Sequence, residues 1–162
     1  QMCIRDRPFI EDKQSIQQGY LSSEPFAIKK TAGFSPVIHL LADHGYDAYA
    51  NTIETALSTI ENNPKIVKSF IDASRKGWVS FLNDDPSPAF QLIKKLNPDM
   101  PDDKLVYARD MLISFNIIEI EGTKIGSMSD ERWENFYTKS KKLGIYEQEI
   151  DYKKAYTLEF SN

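Results

Sequence analysis

The fold is decided around residues 17–26, which read Gln17-Gln18-Gly19-Tyr20-Leu21-Ser22-Ser23-Glu24-Pro25-Phe26. Residues 15–21 alternate apolar and polar side chains, which predicts a short strand. Pro25 is a residue favoured at the start of a helix, so a helix is predicted over 24–31. Because α/β proteins bind ligands at the carboxyl ends of their strands, this turn would bring an aromatic ring, two hydroxyls and a carboxylate to a cleft.

Further along, the pattern changes from strands to helices. Residues 37–42 are an apolar run typical of a buried parallel strand, and residues 52–55 predict another short strand. Residues 43–51 are rich in turn formers. Strands followed by a block of helices predict a mixed α/β fold.

Four helices are predicted in the second part of the chain from their caps and apolar spacing. The first begins with Pro64 and ends near 83–86, and the next two run over about 88–96 and onward from 101. The fourth begins after Ser129 and ends near Gly144. Their aromatic faces are expected to form core, and residues 155–160 are expected to be a strand or an extended tail.

Composition excludes two classes of protein. A chain of 162 residues with 41% hydrophobic residues can build one domain with a core. Its net charge of −4 argues against a nucleic-acid-binding surface, which would be basic. No apolar run approaches the roughly 20 residues of a transmembrane helix.

Residues 1–7 have a separate origin in this interpretation. They read Gln1-Met2-Cys3-Ile4-Arg5-Asp6-Arg7 and resemble the translation of a sequencing-library adapter. We therefore expect the native protein to begin upstream of Pro8, with any signal sequence outside this fragment. Cys3 is the chain's one cysteine and falls in this segment, which disfavours disulfides and thiolate metal sites.

Three collinear segments together resemble a known family. They are residues 17–26, Leu40-Leu41-Ala42-Asp43-His44-Gly45-Tyr46 and Asp151-Tyr152-Lys153-Lys154-Ala155-Tyr156-Thr157-Leu158. They are similar to substrate-binding proteins of ABC importers in the thiamine-pyrimidine-synthesis-like family, which is related to nitrate, sulfonate and taurine receptors. The resemblance extends from about Ile16 to the C-terminus.

This resemblance implies a type II periplasmic-binding-protein-like α/β fold, in which two lobes joined by crossover strands enclose the ligand. Only a C-terminal portion of that fold would be present. Residues 8–36 would end the second lobe, 37–45 would be the crossover strand and hinge, and 46–162 would be the C-terminal part of the first lobe. The resemblance implies a monomeric, periplasmic or lipid-anchored receptor that uses no cofactor and delivers a small solute to ABC transporter permease subunits.

Glu24 is the leading candidate for ligand binding. Its carboxylate can accept two adjacent hydrogen bonds from an aminopyrimidine, or it can simply favour the helix dipole from the first turn. Ser22 and Ser23 can donate hydroxyls to a ligand, although capping of the helix by one of them is the preferred interpretation. Tyr20 can stack on a flat ring or pack in an ordinary way.

A second candidate group follows the predicted crossover strand. The resemblance implies that Asp43, Tyr46 and Tyr49 face the cleft, whereas in the alternative Asp43 caps turn amides. His39 is expected to be a core residue. His39 and His44 have no obvious third ligand, so a metal site is not predicted.

These residues allow three functions. The resemblance favours a receptor for a small solute, and a carboxylate in the site favours an amine-bearing heterocycle, such as a thiamine-precursor pyrimidine, over an anion. A pyrimidine synthase-like enzyme of the same fold is the alternative. It is disfavoured because such enzymes carry a cysteine-rich motif, whereas the one cysteine of this chain, Cys3, lies in the adapter-like segment. A purely helical interaction module is disfavoured by the predicted strands and cleft of residues 15–49.

Overall fold

The computed structural model describes residues 6–118, 122–146 and 148–161, and these residues are helical or irregular. Residues 1–5, including Cys3, lie outside the described part. Asp6 and Arg7 belong to the first helix, and the buried Asp6 Oδ1 accepts a hydrogen bond from Gln17 Nε2 at 2.6 Å.

The helices are α1 Asp6–Glu11, α2 Glu24–Ala32, α3 Leu57–Asn62, α4 Pro64–Asn83, α5 Ser87–Leu96, α6 Asp102–Ser114 and α7 Asp130–Lys142, with single 3-10 turns at Leu41–His44 and Tyr152–Ala155.

The helices predicted from local signals are confirmed. Helix α2 ends before Gly33, which has φ 78° and donates its amide to the Lys29 carbonyl. Helix α7 begins after Ser129, whose hydroxyl accepts the Arg132 amide at 3.3 Å. Gly144 follows α7 with φ 71°, a backbone conformation that glycine adopts without a steric penalty.

The predicted strands at 15–21, 37–42 and 52–55 are wrong for this structure, in which no strand occurs among the described residues. A strand needs a neighbour to complete its hydrogen bonds. Val37 is 83% exposed and Ile38 is 46% exposed, and no described residue pairs with this apolar run as a strand. Its end instead forms the 3-10 turn at Leu41–His44. The expected sheet of a mixed α/β fold is therefore not observed in this part of the chain.

Burial also differs from the sequence-based expectation. Phe70 and Trp78 of α4 were expected in the core but are 59% and 39% exposed, and His39 is exposed as well. The most buried apolar side chains lie elsewhere and are Ile28, Leu82, Leu105, Ile125 and Phe160. Residues 155–160 are not a strand: the 3-10 turn ends at Ala155, and the backbone of Tyr156 is extended. None of the described helices combines the length and apolarity needed to cross a bilayer.

The chain divides into two compact units, residues 1–38 with 80–120 and residues 39–79 with 121–162. In the first unit, Arg109 of α6 donates to the carbonyls of Phe81 and Leu82 at 2.8 and 2.6 Å. In the second unit, Arg75 donates to the carbonyls of Ile125 and Ser161 at 2.8 and 2.5 Å. In each unit, a half-buried guanidinium thus donates to backbone carbonyls of a segment that is distant in sequence.

Candidate functional site

The turn before α2 holds the first group of predicted site residues. Glu24 is the first residue of α2, and its Oε2 accepts the backbone amide of Tyr20 at 2.6 Å. The Tyr20 carbonyl in turn accepts the amides of Ser23 and Glu24 at 2.9 and 3.2 Å. The carboxylate therefore closes the turn that starts the helix. Within the described residues, its second oxygen, Oε1, makes no hydrogen bond.

Gly19 is required by the packing of this turn. A Cβ atom at position 19 would lie 2.8 Å from Cγ of Glu24 and 2.9 Å from its Cβ. Such distances are too short for carbon atoms, so a larger residue would displace the Glu24 side chain. Glycine at position 19 therefore leaves room for the Glu24 side chain, whose carboxylate accepts the Tyr20 amide.

The other members of this group are accessible. Tyr20 is 60% exposed, and Ser22 and Ser23 are half-buried. Ser23 occupies the N-cap position of α2, but its side chain makes no capping hydrogen bond, so the expected capping role is wrong for Ser23. The turn thus presents an exposed ring, two hydroxyls and one carboxylate oxygen together.

A pocket of about 410 Å³ lies beside α2, within the first unit. Phe26 and Tyr107 form an aromatic pair in its wall, with ring centroids 5.2 Å apart. The Tyr107 hydroxyl donates to the Leu21 carbonyl at 3.2 Å, and burial raises the pKa of Tyr107. Sequence analysis did not identify this pocket, because Tyr107 lies far along the chain from α2. Its lining consists of Pro25, Phe26, Lys29, Ser35, Pro36, Ile38 and Tyr107.

The second group of predicted residues lies in the second unit, where Tyr46 and Tyr49 contact α7. Asp43 sits in the 3-10 turn Leu41–His44, where its backbone amide donates to the Leu40 carbonyl at 3.1 Å. Tyr46 is 46% exposed and lies edge-on to Phe136, with centroids 6.3 Å apart. The hydroxyl of Tyr49 accepts the Ser129 amide at 2.9 Å. Tyr46 is thus available to a ligand, whereas Tyr49 is engaged in holding the N-terminus of α7.

Two cationic side chains of α7 hold the segment between these tyrosines. Arg132 Nε donates to the Asp47 carbonyl, and Lys139 Nζ donates to the Gly45 carbonyl. Lys139 Nζ also lies 3.4 Å from Asp47 Oδ1. Burial raises the pKa of Asp47, but its backbone hydrogen bond and the Lys139 contact outweigh that effect and lower the pKa. Both cations were not predicted from the sequence, because they lie 85 and 94 residues along the chain from the carbonyls that they bind.

Aromatic side chains surround the same helix. Trp133 stacks on Tyr156 at 4.8 Å and contacts Tyr49 at 5.5 Å between ring centroids. Tyr137 stacks on Tyr152 at 4.7 Å. The Tyr156 hydroxyl donates to Asp130, which raises the pKa of Tyr156 to about 12. The aromatic face predicted for α7 is therefore a packed cluster, and it lines an open depression of about 100 Å³.

The structure brings each group together within its own unit. Tyr20, Ser22, Ser23 and Glu24 form one turn of the first unit, and Asp43, Tyr46 and Tyr49 follow one another in the second. The rings of His39 and His44 lie 6.3 Å apart. Within the described ranges, no group of three or more His, Cys, Asp or Glu side chains could hold a metal ion.

Comparison with known proteins defines the class of this chain. The sequence model of the family described as NMT1/THI5 like matches residues 5–89, just over half of the 162 residues. The chain belongs to this family, which implies a periplasmic-binding-protein-like fold.

One curated relative is the riboflavin-binding protein RibY of Chloroflexus aurantiacus, which is 26% identical over 155 residues. The alignment covers 93% of this chain but 43% of RibY, so the chain spans less than half the length of that relative. No solved structure gives a significant match to the chain.

Proposed function

We propose that this chain is part of the solute-binding subunit of an ABC importer. The subunit would act outside the cytoplasmic membrane, as a periplasmic or lipid-anchored monomer, and pass a small heterocyclic solute to the permease subunits. The observation that carries this proposal is the family match over residues 5–89. The similarity to RibY, a protein named for binding riboflavin, supports a binding role over catalysis.

We also propose that the chain is the C-terminal portion of a two-lobed receptor, with the lobe boundaries expected from the sequence. The large apolar side chains of Ile16, Val37 and Leu57 are 98%, 83% and 71% exposed, which is unusual on the surface of a complete domain. Further protein covering these residues would remove that exposure. A neighbouring strand would also allow residues 37–42 to pair as the predicted crossover strand.

We propose a set of ligand-contacting residues in each unit. In the first unit we propose Tyr20, Ser22, Ser23 and Glu24, because Tyr20 is exposed and its backbone amide is bound by the Glu24 carboxylate in the same turn. In the second unit we propose Asp43, Tyr46 and Tyr49, with Tyr46 as the more exposed of the two rings. A ring, hydroxyls and a carboxylate are suited to stacking on a flat heterocycle and to accepting hydrogen bonds from its N–H groups.

The solute would be a thiamine-precursor pyrimidine or a related flat heterocycle, with riboflavin included because of the RibY similarity. The test is a thermal-shift screen of the complete gene product against an aminopyrimidine thiamine precursor, riboflavin, taurine and nitrate. We expect stabilisation by at least one heterocycle, and the solute should be recovered chemically unchanged. No shift with any heterocycle would contradict the proposal. Conversion of the solute would instead support the pyrimidine synthase-like alternative.

A further inference from the structure

We infer that the pocket beside α2 binds a planar heterocycle that carries carbonyl oxygens. The inference rests on the proposed solute-binding function and adds a site that sequence analysis did not identify. The pocket lies entirely within the first unit and has a volume of about 410 Å³. Pockets for small molecules commonly measure about 300–1,000 Å³, so this volume suits a ring system of two or three fused rings.

The walls of the pocket select for a flat, apolar body. Phe26 and Tyr107 stand 5.2 Å apart with their rings inclined by 38°. Pro36 and Ile38 add apolar surface, and Ile38 is 46% exposed. An aromatic pair next to aliphatic side chains favours stacking of a planar ring.

The aromatic wall is held in place from two sides. The Tyr107 hydroxyl is committed to the Leu21 carbonyl at 3.2 Å. Lys30 Nζ lies 5.4 Å from the centroid of the Phe26 ring and 2.7 Å from Asp103 Oδ2. The Tyr107 ring is thus available for stacking while its hydroxyl is already paired.

The polar groups of the pocket select for hydrogen-bond acceptors. Lys29 and Ser35 both line it. Lys30 is paired with Asp103, but in the described part of the chain Lys29 makes no ion pair. A lysine ammonium has three donors and no acceptor, and a serine hydroxyl can donate as well. The ligand that satisfies these groups presents carbonyl oxygens to them.

The preference of the pocket for carbonyl-bearing rings differs from the preference for amine-bearing rings that Glu24 alone predicts. Glu24 directly precedes Pro25, a residue of the pocket, but its Oε2 already accepts the Tyr20 amide. A carboxylate favours amine-bearing rings, whereas the ammonium of Lys29 repels a protonated ring. Because Lys29 lines the pocket and Glu24 does not, acceptor-bearing rings are favoured there.

A matched pair of probes tests the inference. Lumazine carries two carbonyl groups on a pteridine ring, and 2,4-diaminopteridine carries two amines at the same positions. Both are titrated calorimetrically into the complete gene product. We expect lumazine to bind about tenfold more tightly, as a charge-assisted hydrogen bond would provide. Tighter binding of the diamine would overturn the inference.

Two variants locate the binding. Phe26→Ala should weaken lumazine binding about tenfold or more through lost stacking. Lys29→Met, at an exposed position that should not affect folding, should abolish the preference between the probes. Lys94→Met is the matched control, because Lys94 pairs with Asp102 and does not line the pocket. It should change neither affinity.

The outcomes separate this inference from the proposed function. Unchanged lumazine binding in both Phe26→Ala and Lys29→Met would overturn the pocket assignment while leaving solute binding intact. A complete gene product that binds neither the pteridines nor any heterocycle of the thermal-shift screen would overturn both. Circular dichroism of each variant checks that it is folded.

Discussion

The guanidinium of Arg132 lies over the ring of Tyr49, 4.4 Å from its centroid. The same guanidinium donates to the carbonyls of Asp47 and Ala48. One side chain of α7 therefore fixes both the backbone and the aromatic side chain of a segment that sequence analysis placed in the ligand site. The neighbouring Tyr46 packs edge-on against Phe136 of the same helix.

Replacing Arg132 should loosen residues 45–49. We expect Arg132→Ala to cost about 1–2 kcal/mol in urea unfolding, because it removes charged hydrogen bonds and a cation–π contact. Arg132→Lys should recover part of this loss, since it keeps the charge but not the planar fork. Lys68→Ala, which breaks an exposed pair with Asp72, is the control and should cost about 0.5 kcal/mol or less. Unchanged hydrogen exchange at residues 45–49 in Arg132→Ala would refute the anchoring role.

Gly19 should not tolerate a side chain. Gly19→Ala places a Cβ atom 2.8 Å from Glu24 Cγ, so the turn must shift or Glu24 must release the Tyr20 amide. The expected cost is about 1–3 kcal/mol in the free energy of unfolding. Gly77→Ala is a matched comparison, because a Cβ there meets nothing within 4 Å inside α4. It should stabilise the protein by about 0.5–1 kcal/mol; destabilisation by both substitutions to the same extent would be inconsistent with the packing at Gly19.

Glu24 can be tested for two roles at once. Glu24→Gln keeps an acceptor for the Tyr20 amide, so stability should change by about 0.5 kcal/mol or less, whereas Glu24→Ala should cost about 1 kcal/mol. If Glu24 also binds the solute, Glu24→Gln turns one acceptor into a donor. Affinity for an amine-bearing heterocycle should then fall by about 2–3 kcal/mol, or roughly 30–150-fold. Equal affinities in calorimetric titration would restrict Glu24 to closing the turn.

Alkaline pH should weaken the second unit through Tyr156. Its hydrogen bond to Asp130 raises the pKa of Tyr156 from 10.0 to about 12. Because the folded pKa is raised, this contribution to stability is complete below pH 10 and is lost as the pH rises from 10 to about 12. Urea unfolding at several pH values in that window should show the loss in the wild type, and Tyr156→Phe should reduce it. A Tyr156→Phe variant with the same pH dependence as the wild type would argue against this hydrogen bond.

The sequence predicts the helices well because their signals are local. Pro64, Ser129 and Gly144 mark helix ends through their own backbone and side-chain chemistry. A β-strand forms only when an adjacent strand completes its backbone hydrogen bonds. Residues 37–42 have the apolar pattern of a strand, but Val37 is exposed and no strand forms there. Burial of the α4 aromatic residues was mispredicted for a related reason, because periodicity indicates a face without indicating what covers it.

The part of the candidate site that is local in sequence was predictable, and the part formed by distant residues was not. The turn around Glu24 was recognisable because Gly19, Tyr20 and Pro25 are adjacent in sequence. Tyr107 reaches the Leu21 carbonyl across 86 residues, and Arg132 reaches Asp47 across 85. No local pattern specifies such contacts, since they depend on how helices α6 and α7 pack within their units.

We propose that this protein captures a flat heterocyclic solute without transforming it. The decisive measurement is isothermal titration of the complete gene product with the heterocycles that give a thermal shift, followed by recovery of the solute. We expect one-to-one binding with a Kd on the order of 1 μM or tighter, and recovery of the unchanged compound. The absence of binding heat with every planar heterocycle, or recovery of a converted product, would contradict it.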